Sequence, residues 1–161
     1  MVKKLFPVSL IVLGAVFVAA GLYTVYRGFD ARDQVETELV AQNIVTPGDA
    51  SIPNALVRDI PTARAMSDII EVHAMEATGG LTYAEMDRDD PARQTALNAA
   101  NLRTSLYTSI MAFEVGTLVV GLGLMIVVMG LAVGGLGIVL ASLVIPTVAE
   151  KVHVRPVVDE E

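Results

Sequence analysis

His73 and Glu76 stand three residues apart, the spacing at which two side chains on one helix face can touch the same metal ion. Asp68 and Glu71 are near in sequence, but no second His is. Catalytic zinc typically takes three protein ligands, so this pair is an incomplete site. A His packed or capped at a helix interface is the simpler reading. His153 lies in the segment 150–161, where no constellation surrounds it. The stretch Glu85-Met86-Asp87-Arg88-Asp89-Asp90 is rich in carboxylates. It lacks the ligand spacing and central Gly of an EF-hand, and reads as a solvated turn and helix cap. No Ser stands near a plausible base, no Gly-x-Ser-x-Gly elbow is present, and no Gly-rich loop with a Lys could cradle phosphate. The absence of Cys excludes disulfides, thiolate catalysis and Cys-based metal sites. No catalytic group, metal or cofactor is therefore expected.

The spacing that does stand out belongs to glycine. Gly116, Gly123, Gly130 and Gly137 recur every seven residues, and Gly14, Gly21 and Gly28 repeat the same interval. Seven steps along a helix drift by only about 20°, so each set lies on one face. Ala112, Gly134 and Ala141 fall in the same stripe as the second set, and Gly130 with Gly134 forms a GxxxG pair. Small residues on one face let helix backbones approach closely in a membrane, where dispersion packing drives association. Gly is common in membrane helices, so a chance alignment is the bland alternative. If the seam joins two helices of one chain, Gly28 faces Gly116, Gly21 faces Gly123 and Gly14 faces Gly130, pairs whose numbers add to about 144. Extended outward, this register sets Ala31 near Phe113, Val35 near Ser109 and Leu39 near Ser105. Otherwise the stripe on the second helix is free for a partner subunit.

The helices that must carry these residues are legible in the charge distribution. Of 161 residues, 53% are hydrophobic, 18% are charged, and the mean hydropathy is +0.59. Residues 5–26 form a run of 22 without a charge, and residues 115–149 a run of 35. The first, as a helix, covers about 33 Å, enough for a bilayer core of about 30 Å. Val18-Ala19-Ala20 offers a signal-peptidase-like site, but the run continues past it, which favours an uncleaved span. The second run reads either as one long helix or as a hairpin broken at Gly134-Gly135. The hairpin leaves only 14 residues after the break, too few for a crossing, so one helix kinked or ended by Pro146 is preferred. Glu114 sits at the outer edge of this span, within reach of headgroups or of Arg27 and Arg32. A proton-carrying ring subunit would hold a carboxylate in mid-membrane, and the runs have none.

Between the runs, residues 27–111 hold seven Arg and no Lys against thirteen Asp or Glu, while Lys3, Lys4 and Lys151 lie outside. The positive-inside rule then sets both termini in the cytoplasm and the acidic segment outside the cell membrane. Arg27 and Arg32, just after the first span, oppose that orientation. The expected organisation is a cytoplasmic start at 1–4, a span at 5–26 and an extracytoplasmic helical module at 27–111. A second span with an inner extension follows at 112–146, then a cytoplasmic tail at 147–161. The expected fold is an all-α membrane protein with two spans in an antiparallel hairpin that continues into the external module. In that module a helix should run from Phe29 to Ile44, with Ala31, Val35, Leu39 and Gln42 on one face, ended by Thr46-Pro47-Gly48-Asp49. Residues 51–60 should be extended. A helix from Pro61 to about Ala77 should follow Asp59, stop at Gly79-Gly80 and turn Ala63, Met66, Ile70, His73 and Ala77 inward. Thr82 and Glu85 match a capping box and imply a further short helix. Asp90-Pro91 should start the last helix, which runs straight into the second span.

The stretch from Phe29 through Asn43-Ile44-Val45 and Thr46-Pro47-Gly48-Asp49 to Ala55 has a wider likeness. So do Glu76-Ala77-Thr78-Gly79-Gly80, the run Thr82 to Arg88 and the run Asp90 to Ala96. Together they resemble a group of uncharacterised actinobacterial membrane proteins, often labelled as the small subunit of an aromatic ring-opening dioxygenase. The resemblance, chiefly over residues 29–120, implies a two-span helical protein and brings no catalytic residue or partner with it. A non-haem iron site needs something like two His and a carboxylate, and His73 and His153 are expected on opposite sides of the membrane. The leading expectation is thus a non-enzymatic scaffold or accessory subunit of a membrane or envelope complex, associating with the bilayer and with copies of itself or other subunits. The net charge of −7 argues against nucleic acid. The alternatives are an extracytoplasmic ligand- or lipid-binding module and, last, the dioxygenase-related protein of the label.

Overall fold

The computed structural model describes the backbone from Val2 to His153 and the side chains from Leu5 to Leu143. Three helices and no strand are present among the described residues: α1 (Val2–Ala41), α2 (Ile60–Ala77) and α3 (Arg93–His153). Two of them, α1 with 40 residues and α3 with 61, are long and apolar enough to cross a membrane. α3 has no break at Gly134-Gly135 and its backbone passes Pro146, so the end or hairpin allowed for there does not form. The expected tail, with His153 and the residues after it, lies outside the described side chains.

The chain divides into two compact units, one of residues up to Arg27 and from Val119 onward, the other Gly28–Leu118. In the second unit Leu39, Val57, Ala63, Leu106, Ile110 and Phe113 form the core, with Val35, Ile44, Ile60, Met66 and Ile70 packed against it. Of the face expected on the outer part of α1, Leu39 is buried and Val35 half-buried, but Ala31 and Gln42 are exposed. Gln42 lies beyond the helix, which ends at Ala41 and not at Ile44. Asn43 takes a left-handed conformation with φ 51°, a common helix stop for Asn.

The segment after α1 is not simply extended. Val45 and Leu56 form an antiparallel bridge, and the Val57 amide donates to the Ile44 carbonyl at 2.8 Å. Thr46 holds the loop from inside. It is 1% exposed, its amide donates to the Ala55 carbonyl at 2.9 Å, and its hydroxyl accepts from the Ala55 amide at 2.9 Å.

α2 begins where Asp59 caps it. The Asp59 carboxylate accepts from the Thr62 amide at 3.0 Å and from the Thr62 hydroxyl at 2.6 Å. The helix stops because Gly79 and Gly80 adopt φ of 66° and 87°, and the Gly80 amide returns to the Met75 carbonyl at 2.7 Å. Its buried residues are Thr62, Ala63, Ala65, Ser67 and Ile69, with Met66 and Ile70 half-buried. His73 and Ala77, expected inward, are exposed. The first half of α2 is covered on several sides and the second half on few, so one stripe does not describe it. Thr82 and Glu85 do bond to each other, the Thr82 hydroxyl donating to the carboxylate at 2.7 Å, but a turn forms there and no helix. Only seven residues separate Thr82 from Asp90, and Pro91 then disfavours helical backbone at Asp90, which leaves too little chain to nucleate one. The Asp90 carboxylate accepts from the Ala92 amide at 2.8 Å, and α3 starts at Arg93.

Candidate functional site

In the unit formed by the chain up to Arg27 and from Val119, the buried positions among the described residues are Pro7, Gly14, Gly21, Gly123, Gly130 and Gly137. At five of the six a hydrogen atom takes the place of a side chain, so backbone meets backbone. A Cβ placed on Gly14 would lie 2.6 Å from the Gly130 carbonyl oxygen and 2.5 Å from the Gly134 nitrogen. One on Gly21 would lie 2.7 Å from the Gly123 carbonyl oxygen, one on Gly123 2.7 Å from the Val25 nitrogen, and one on Gly130 2.7 Å from the Val18 nitrogen. One on Gly137 would meet the Pro7 carbonyl oxygen and the Ile11 nitrogen at 2.9 Å. Gly134 is looser, with the Gly14 Cα at 3.7 Å, and is half-buried, as is Ala141. Gly121 and Gly135, off this face, have nothing within 4 Å. Large apolar side chains of the same helices point away from the strip, Met125 at 67% exposure and Val128 at 65% among them.

In the Gly28–Leu118 unit, Gly28 and Gly116 are buried, and a Cβ on Gly116 would lie 3.3 Å from the Gly28 carbonyl oxygen. The aliphatic stem of Arg32 covers Gly116, its Cγ 2.6 Å from the same point. Arg32 thus uses its carbons here. Glu114 is exposed and has no ion pair among the described residues, so the pairing allowed for it with Arg32 is not made. His73 is not packed at a helix interface. Its Nε2 lies 2.7 Å from Oδ2 of Asp49, on the surface, tying α2 to the loop after Pro47. That hydrogen bond holds the Asp49 carboxyl below the usual aspartate range. The Thr62 hydroxyl does the same for Asp59, and the Thr82 amide for Glu85. Arg103 pairs with Glu71 at 2.7 Å, and Arg58 with Glu36. No group of three or more His, Asp or Glu able to hold a metal occurs among the described residues.

The same unit holds a feature that was not singled out from the sequence. A trough of about 1000 Å³ runs between α1 and α3. Val35, Leu39 and Leu106 supply apolar lining, and Met66 and Ile70 of α2 contribute further. Asp30, Gln34 and Glu38 line the α1 side at four-residue intervals, and Ser105, Ser109 and Ala112 the α3 side. That i, i+4, i+8 polar row was the available signal, but it looks like any solvated helix face until α3 is set beside it. Comparison of the chain with protein-family models, curated proteins and solved structures finds no match.

Proposed function

We propose that this chain is a non-enzymatic integral membrane protein, a scaffold or accessory subunit of a membrane or cell-envelope complex. Its spans, residues 5–26 and 112–146, form a close-packed antiparallel hairpin in the cell membrane. Both termini are cytoplasmic and residues 27–111 are extracytoplasmic. The observation that carries this reading is the glycine strip. Gly14 meets Gly130, Gly21 meets Gly123 and Ile11 meets Gly137, the descending register of an antiparallel pair. Many large apolar residues of those helices, Leu5, Phe6, Leu22, Met125 and Val128 among them, are turned outward. In water such a surface is a liability, whereas in hydrocarbon it costs nothing. The placement of Lys3, Lys4 and Lys151 supports the orientation. The two-span actinobacterial group that the sequence resembles is the family proposed for it, without the activity of that group's label.

Purification in several mild detergents followed by mass measurement tests the role. The expected species exceeds the 17.0 kDa of one chain by further protein, as a homo-oligomer or a complex. A strictly monomeric, partner-free species in every detergent contradicts it. The trough is also the observation behind a second reading, an extracytoplasmic ligand- or lipid-binding module, which lipid retained at fixed stoichiometry would support.

A further inference from the structure

We propose that the trough between α1 and α3 is the docking site for a short amphipathic helix of a partner protein, apolar on one face and carrying Lys or Arg along its flanks. This deepens the accessory-subunit reading and rests on it. The buried floor, Leu39 and Leu106, is apolar. The rim carries Asp30, Asp33 and Glu38, and among the described residues no Lys or Arg lines the trough. The lining extends from Asp30 on α1 to Gln42 just past its end, and from Leu102 to Ala112 on α3. At 1.5 Å per residue that is about 18 Å and about 15 Å, the length of a three-turn helix. Such a helix lays residues at i, i+3, i+4 and i+7 into a groove of this kind.

Other occupants fit less well. Asp33, Glu38 and Leu102 on the walls are exposed, so the site is a surface channel and not the enclosed pocket that wraps a small ligand. A lipid with an anionic headgroup would find no cation among the described residues of the lining. A second copy of the chain would bring a net charge of −7 to an acidic rim. The chain's own segment 154–161 offers one Arg against Asp159, Glu160 and Glu161, the wrong balance.

The test uses the full chain in phosphatidylcholine nanodiscs, with empty discs subtracted. The probe is a 14-residue peptide with Leu at i, i+3, i+4 and i+7 and Lys on both flanks. A version with Glu for Lys and a scrambled Lys version are the controls. The expected result is binding of the Leu/Lys helix at least tenfold tighter than either control. The double variant D33K/E38K, altered only at exposed positions, should reverse the preference between Lys and Glu peptides. Ser109→Trp, which fills the trough, should weaken binding at least tenfold with helix content unchanged by circular dichroism. Equal binding of the scrambled peptide, no protein-dependent binding, or indifference to the charge reversal overturns the proposal. So does lipid found in the trough at one per chain by native mass spectrometry. If the probe fails while the purified chain still travels in a complex, only the docking site falls. If the chain is monomeric and partner-free, the accessory role falls.

Discussion

Gly121 and Gly123 are the same residue two positions apart on α3, yet they occupy opposite situations. Gly123 has backbone of α1 against it and Gly121 faces open space. Gly123→Ala and Gly130→Ala should each destabilise the chain by about 1–3 kcal/mol, because backbone cannot yield as a flexible side chain does. Gly121→Ala and Gly135→Ala should be neutral or stabilise by up to about 1 kcal/mol, from helix propensity. Unfolding titrations in detergent micelles check both, and equal effects at 121 and 123 would remove the contact strip from the account. The seven-residue interval was visible in the sequence because it is a property of spacing. Which glycines touch was not, since contact depends on the phase of a second helix. Asp59 gives a residue-scale test of a different kind. Its carboxyl titrates below the ordinary aspartate range of about 4, so its stabilising effect is complete above that range and fades as pH falls through the lowered value. Asp59→Ala should cost about 1 kcal/mol at pH 7, and the gap between variant and parent should shrink toward pH 3. A gap that widens on acidification contradicts the capping assignment.

Helix boundaries were legible wherever punctuation residues act locally. Asp59 and Pro61 mark a helix that begins at Ile60, and Gly79-Gly80 end it through their positive φ. What the sequence hid were elements closed by non-local bonds. The bridge between Val45 and Leu56 has too few residues for an alternating pattern, and its stability comes from the buried Thr46 hydroxyl. Thr46→Val keeps the volume and strands the Ala55 amide, so it should cost about 1–3 kcal/mol. Denaturant unfolding measures the cost, and faster hydrogen exchange at the Ala55 and Val57 amides would locate it. No change in either would mean that the loop is held by its backbone alone. Thr82 and Glu85 show the converse error. Their mutual bond was readable, but the helix inferred from it needed more chain than Pro91 leaves.

At the scale of the whole molecule, composition carried the reading further than any motif did. An apolar excess divided into two charge-free runs marks out α1 and α3, the helices long and apolar enough to cross a membrane. The trough is not legible in the sequence because its two walls lie some 70 residues apart in the chain, and each alone resembles an ordinary solvated face. The natural chain contains no Cys, so single Cys substitutions report topology without background. The decisive measurement is labelling of Glu76→Cys, Met125→Cys and Lys151→Cys in cells with a membrane-impermeant maleimide. A two-span hairpin with an external acidic module predicts that E76C reacts on intact cells, K151C only after the membrane is opened, and M125C in neither condition. Reaction of M125C at the rate of E76C, or of E76C and K151C from the same side, would contradict it.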